Sequence, residues 1–431
     1  MPHAHILSSS LIGGGSMNPD KLSLDLQFAT DKTLTARKGP TPVFTRSSTA
    51  TYIGSDGLIQ SSAINSPRFE HDPSTLACKG LLIEEQRTNM VSYSSQFENS
   101  TGWNQTRAIV TANQITSPSG SSDADLITAQ NSQYGGILRR ATNPTYATNT
   151  TYTMSVYAKA GTHSYIGFRL SDESIPIGGL YPYFTLSGAG SATYFTPLGG
   201  SILSASCTSV GNGWYRCVLV YTTALTSTGG TTDIAITTST GNTANTPAGT
   251  ETVYLWGAQI ELGAFPTSYI PTTTGTLARS ADVCSITGSS FTSFYNQTEG
   301  TMFVNGYTPA DTARTMLAVD DNTANQMIRL RGETTDPYFR VVNGGTEFVA
   351  LDSGTISANT SFKFAGTYLA NNFSAVVNNG TVVTDTSGTV PTVDRMRIGQ
   401  GQSGNIMCGC LASVKYYKKK LADAKIKIIT T

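Results

Sequence analysis

TYTMSVYAK, residues 151–159, decides the fold class: Tyr152, Met154, Val156 and Ala158 fall on one side of the segment, and polar residues alternate with them. A period of two marks a strand with one buried face, because successive side chains leave opposite sides of an extended backbone. The same reading extends outward to residues 165–170, 181–186, 214–221, 233–237 and 252–260, with turn residues between them. Their spacing predicts an antiparallel sandwich of the jelly-roll kind over residues 91–271.

A Thr-rich stretch at residues 271–275 and a linker over 272–296 lead to a second predicted sandwich at 297–431. Strand candidates there are residues 300–307, 326–331, 338–342, 347–351, 362–368, 373–377, 395–398 and 411–417. Asn343-Gly344-Gly345 and Asn379-Gly380 mark hairpins, since these residues accept the positive φ of tight turns. On the N-terminal side, residues 41–90 alternate short apolar pieces with Ser-Asp-Gly, Asn-Ser-Pro and Asp-Pro turns, which predicts a small β-rich collar. Residues 1–40 read as an extended arm with one strand at Leu22, Leu24 and Leu26, followed by Phe28. The predicted fold class is all-β: two antiparallel β-sandwiches, a jelly roll and then a concanavalin A-like one, preceded by an arm and a collar.

Composition agrees with this and narrows the function. Charged residues are 13% of the chain, about half the usual share, with 42 glycines and abundant Ser and Thr in their place. Hydrophobic content of 39% still builds cores. The 28 basic and 28 acidic residues cancel, so no basic stripe is present to bind a phosphate backbone, and nucleic acid is not an expected partner. The lysine run at residues 415–427 reads as the guard of a strand edge. No segment approaches the ~20 apolar residues of a membrane span, so no membrane insertion is expected. The first 16 residues lack a signal-peptide pattern, which predicts synthesis in a bacterial cytoplasm. The six cysteines form neither a disulfide framework nor a zinc motif, but Cys207 and Cys217 flank Gly211-Asn212-Gly213 and can face each other across a hairpin.

FTRSSTATYIGSDGLIQ (44–60), PRFEHDP (67–73) and GLLIEEQRTNMVSYS (80–94) resemble a module that recurs in phage and prophage head-spike and tail-fibre proteins. YTMSVYAKAG (152–161), GNGWYRCVLVYT (211–222) and the segment VYLWGAQIELGAFPTSYIPTTTGTLARSADV (253–283) are similar to the carbohydrate-binding jelly roll that usually follows it. EGTMFVNGY (299–307), residues 362–383, RMRIGQ (395–400) and ASVKYYKKKLADAKI (412–426) are similar to laminin-G and concanavalin A-like folds. The resemblance implies a protein of the virion surface, homo-oligomeric and commonly trimeric. Its arm would contact other virion proteins, and its modules would bind a bacterial surface glycan.

Sugar cleavage needs two carboxyl groups about 5–9 Å apart across a cleft. Glu84 and Glu85 are adjacent, so they point to opposite faces of a strand, and Glu251 and Glu261 lie too far apart along theirs. His71 and His163 sit beside turn residues with no nucleophile near them, and no catalytic residue is expected. The candidate sugar contacts are Tyr181 and Tyr183, which share a face in Tyr181-Pro182-Tyr183-Phe184, with Arg169 near them in sequence and Trp103 as a further platform. Trp214 and Trp256 read as sandwich interior. Asp320, Asp321 and Asn322 form a tight acidic turn, the one candidate for Ca²⁺; no other cofactor is expected. The function expected from these readings is adhesion by a non-enzymatic fibre or spike subunit. The alternatives are a capsid or baseplate decoration protein and, further off, a polysaccharide depolymerase.

Overall fold

The computed structural model describes residues 21–132, 135–142, 144–171, 182–194, 201–223, 231–240, 247–309, 313–402 and 404–431. Among these the chain is all-β, with four large antiparallel sheets paired into two sandwiches and two small two-stranded ladders.

The jelly roll packs two six-stranded sheets face to face. One runs Ser201–Ser209, Trp214–Thr222, Thr151–Ala160, Thr252–Leu262, Ala124–Ala129, Ala108–Ile115. The other runs Ser191–Thr193, Tyr183–Thr185, Tyr165–Ser171, Thr231–Ile236, Ile137–Arg140, Trp103–Asn104. Tyr152, Met154, Val156 and Ala158 all enter the core between them, with Phe168, Phe184, Leu219 and Ile260. The period-two reading of residues 151–159 therefore places the correct face inward.

Trp214 and Trp256 are buried, but not in that interior. They lie on the outer face of the first sheet with Tyr157 and Tyr269, covered by Ile53 and Ile59 of the collar hairpin Ala50–Ile53/Ile59–Ser62. The reason is parity: Tyr215, Cys217 and Leu219 point into the core, so Trp214 must point away.

The second sandwich is assembled from both ends of the chain. Its first sheet runs Val383–Asp385, Phe373–Val377, Thr360–Leu369, Glu299–Thr308, Gly409–Tyr417, Cys78–Ile83, Phe69–His71, and Leu22–Leu26 also pairs with Gly409–Tyr417. The facing sheet runs Val43–Thr45, Val283–Thr287, Arg395–Ile398, Arg314–Asp320, Met327–Glu333, Asp336–Asn343, Thr346–Asp352. Leu24, Leu26, Phe28, Phe44, Leu81 and Ile83 all belong to its core. Two expectations are thereby corrected. Residues 22–28 are a core strand and turn rather than part of a free arm, and the collar completes the sandwich rather than standing alone. Burial of alternate leucines against a strand nearly 400 residues away is what draws them in.

The jelly roll is thus an insertion. The strands just outside it, Arg87–Asn89 and Leu277–Arg279, pair with each other, and Tyr93 N donates to Thr273 O at 2.6 Å. Both predicted hairpins form, with Gly344 and Gly345 at φ +60° and +78° and Asn378 and Asn379 at +48° and +56°. The lysine run guards no edge. Lys415 sits in Gly409–Tyr417, flanked by strands on both sides, and the chain beyond it turns into helix Asp423–Ile429. Leu421 and Ile426 then cover the outer face of that sheet against Phe303 and Val376.

Candidate functional site

The second jelly-roll sheet presents one face to the core through Ile166, Phe168, Phe184, Ile234, Ile236 and Leu138. Alternation turns Arg169, Tyr183, Asp233 and Arg139 to the other, outward face. Register brings them together: Tyr183 lies opposite Gly167, and Arg169 and Arg139 both lie opposite Asp233. The Asp233 carboxylate accepts Nε and Nη2 of Arg139 at 2.8 and 3.0 Å, and Arg169 Nη1 approaches it at 3.6 Å. Asp233 is closed off from solvent, whereas Arg139 and Arg169 keep 38% and 23% of their side-chain surface. Two guanidiniums share one carboxylate, so among the described residues this cluster carries one excess positive charge beside a half-exposed tyrosine ring. Arg169 and Tyr183, singled out in the sequence, do share a face; Tyr181 lies outside the described residues.

The remaining candidates have other duties. Trp103 is fully buried, packs at 4.8 Å from Phe97 under the Arg140 guanidinium, and spends its Nε1–H on Tyr93 O. With no free ring face it offers no platform for a sugar. Asp320 is buried, accepting Arg397 Nε at 2.8 Å and the Asn322 N–H, while Asn322 Oδ1 accepts Arg397 Nη2 at 2.6 Å. Asp321 accepts the N–H and hydroxyl of Thr323. Arginine already compensates this turn, so a cation there would meet a guanidinium rather than open oxygens. Among the described residues no three His, Cys, Asp or Glu side chains are gathered for a metal. Glu251 caps the turn at Ala248–Thr250, and buried Glu261 accepts the N–H and hydroxyl of Thr267. His71 and His163 bond the carbonyls of Ile53 and Thr237.

What the sequence did not disclose is a buried ionic network where collar, jelly roll and second sandwich meet. Arg68 donates to Glu84 Oε2 at 2.7 Å and to Asp282 Oδ2 at 2.5 Å. Arg46 reaches Asp282 at 3.2 Å, and Arg279 reaches Glu84 at 3.0 Å. The N–H and hydroxyl of Ser268, from the jelly roll, both donate to Glu84 at 2.7 Å. Burial opposes the charge on Glu84, but Arg279, Arg68 and Ser268 overcome it and hold the carboxyl down at about 2. Beside this network lies a cavity of about 140 Å³ bounded by Glu70, Lys79, Phe265, Tyr307 and Cys410. Glu70 is half-buried, with its carboxyl set among the packed side chains at the edge of this cavity. Desolvation of that carboxyl outweighs the donated Ile53 N–H and pushes it up to about 7. A wider groove of about 670 Å³ runs between residues 95–98 and 271–277; it is lined by hydroxyls and the carboxylates of Glu98 and Asp123, with no aromatic ring.

No protein-family model matches the chain, and no curated protein is similar to it. Among solved structures it is similar to the CBM40 module of the Ruminococcus gnavus IT-sialidase bound to α2,3-sialyllactose, at 15% identity over 32% of this chain and 84% of that one, TM-score 0.28. It is also similar to domains LG4-5 of the mouse laminin α1 chain (9% identity, 78% and 90% covered, TM-score 0.24). The CBM22-1–CBM22-2 tandem of Paenibacillus barcinonensis Xyn10C shares 11% identity over 77% and 96%, TM-score 0.23. Likenesses this slight carry nothing about ligand or partner.

Proposed function

We propose that the chain is the adhesion subunit of a bacteriophage surface fibre or spike, binding a bacterial surface glycan without cleaving it. The carrying observation is the outward sheet face on which Tyr183 and Arg169 stand beside the Arg139–Asp233 pair. A sugar ring stacks its apolar side on a tyrosine, and a guanidinium fork donates in parallel to ring hydroxyls or a carboxylate. The unbalanced positive charge favours a glycan with acidic groups. Absence of cleavage is supported by Glu251, which caps a turn, by Glu261, which answers Thr267, and by Glu84, which answers Arg68. The virion role rests on the resemblance of residues 44–60, 67–73, 80–94 and 152–283 to fibre and spike modules. On this reading residues 1–20 supply the contact with other virion proteins, and a homotrimer multiplies shallow sites into avidity.

The test is binding of the full-length protein to arrayed bacterial polysaccharides, acidic and neutral, with Arg169→Ala and Tyr183→Ala together. We expect at least a tenfold loss on acidic glycans with little change in melting temperature, because Arg139 still holds Asp233 bidentately. Unchanged binding removes this face from the function. No binding to any host surface by the native protein leaves the decoration role. Light scattering that shows only a 45.6 kDa species even on assembled particles' extracts counts against the trimer.

A further inference from the structure

Strand Ser201–Ser209 lies at the edge of the first jelly-roll sheet and pairs with Trp214–Thr222 through the turn at residues 211–213. Cys207 falls directly opposite Cys217 in that register, and their sulfurs are 3.7 Å apart. Both thiols are buried and free, and Cys207 also lies 3.5 Å from the carbonyl of Thr185, on the strand that bears Tyr183. We propose that Cys207 and Cys217 are a latent disulfide, open in a reducing cytoplasm and closed once the protein meets an oxidising medium.

The geometry requires little movement. Directly opposed residues of an antiparallel pair have Cα atoms about 4.5–5.5 Å apart, inside the window of about 4.4–6.8 Å that a disulfide spans. The sulfurs must close from van der Waals contact to about 2.05 Å, which side-chain rotation supplies without a change of register. The two thiols are also chemically unequal. The hydrogen bond with Cys217 draws the Cys207 thiol below its ordinary range, while burial pushes Cys217 well above it. Cys207 is therefore the attacking sulfur, and its place on an edge strand lets local fraying expose it.

With oxidised glutathione as the oxidant, the Cys207 thiolate attacks one sulfur and expels a glutathione thiolate, leaving a mixed disulfide. Cys217 then gives up its proton, and its sulfur displaces the second glutathione. In sum, two protein thiols and one oxidised glutathione become one protein disulfide and two glutathione thiols, a transfer of two electrons. The product staples an edge strand that otherwise rests on one neighbour in its sheet, and it removes the thiol donor from Thr185.

The experiment incubates purified full-length protein with an oxidised/reduced glutathione mixture, then alkylates it under denaturing conditions and maps the peptides. We expect the six thiols of the reduced chain to fall to four, with Cys207 linked to Cys217. The melting temperature should rise by on the order of 5 °C, reversibly with dithiothreitol. Cys207→Ser and Cys217→Ser should each abolish both effects, and Cys78→Ser should leave them intact. Six persistent thiols, a linkage to another cysteine, or an oxidised form that melts no higher than the reduced one overturns the proposal.

Discussion

A fragment of residues 297–431, which holds most of the second sandwich's strands, should not fold alone. It lacks Leu22–Leu26, Val43–Thr45, Phe69–His71, Cys78–Ile83 and Val283–Thr287, and among the core side chains lost are Leu24, Leu26, Phe28, Phe44, Leu81 and Ile83. At about 1.5–3 kcal/mol for each buried aliphatic or aromatic side chain, those six contribute roughly 9–18 kcal/mol. Even with a discount for a compact unfolded state, that is comparable with the whole net stability of a domain, about 5–15 kcal/mol. Gly409–Tyr417 would also lose its partners Leu22–Leu26 and Cys78–Ile83. The complementary variant should fold. Replacing residues 95–271 by a short Gly-Ser linker joins Ser94 to Thr272, whose Oγ and N lie 2.9 Å apart, at the cost of the Ser268 donors to Glu84 and of the Trp214 and Trp256 cover over Ile53 and Ile59. Near-ultraviolet circular dichroism, amide dispersion by NMR and calorimetry distinguish the two. A cooperative melt and a dispersed spectrum from residues 297–431 alone would refute the reasoning.

Asp282→Ala should destabilise the protein by about 3–5 kcal/mol, because it leaves Arg46, Arg68 and the Glu84 N–H buried without their shared acceptor; a loss below about 0.5 kcal/mol in denaturant titration would mean the network adds nothing to stability. Glu70→Gln should raise the melting temperature above pH 7 but hardly at pH 4.5. The wild-type carboxyl, facing Ile53 N, Glu84, Arg68 and Lys79, has a folded value of about 7 against 4.5 when unfolded. It is neutral in both states at low pH, stability falls as pH rises between those values, and the full penalty stands above 7. An equal shift at pH 4.5 and pH 8 would sink this account.

Local structure was legible because it is written in periodicity. The alternation in residues 151–159 placed its core face correctly, and the Asn-Gly and Gly-Gly pairs placed two hairpins. Two kinds of strand escape a reading by periodicity, and a third shows without its partner. Arg314–Asp320 is buried along its whole length and shows no alternation. Ser201–Ser209, SILSASCTS, has the composition of a loop. Leu22–Leu26 was seen as a strand, but its partner was not, since period-two patterning says which face is apolar and nothing of what covers it. The outward direction of Trp214 is readable in the sequence, against the interior expected for it, because it is out of phase with Tyr215, Cys217, Leu219 and Tyr221.

The candidate site follows the same division. That Arg169 and Phe168 point to opposite faces follows from parity, but that Arg139 and Asp233 stand beside Arg169 depends on a register no local pattern encodes. The ionic junction is further out of reach, since Arg68 and Asp282 are 214 residues apart, with the whole inserted jelly roll between them in sequence. That insertion bears directly on the proposed adhesion. The jelly roll is tied at both chain ends, by Ser268 to Glu84, and by Trp214 and Trp256 against the collar hairpin. The proposed sugar face, held at so many points, does not swing on a linker. Under the proposed function each chain would therefore lose little orientational entropy on binding, and several such faces on one particle would add their contacts efficiently only where the spacing of the glycan matches theirs.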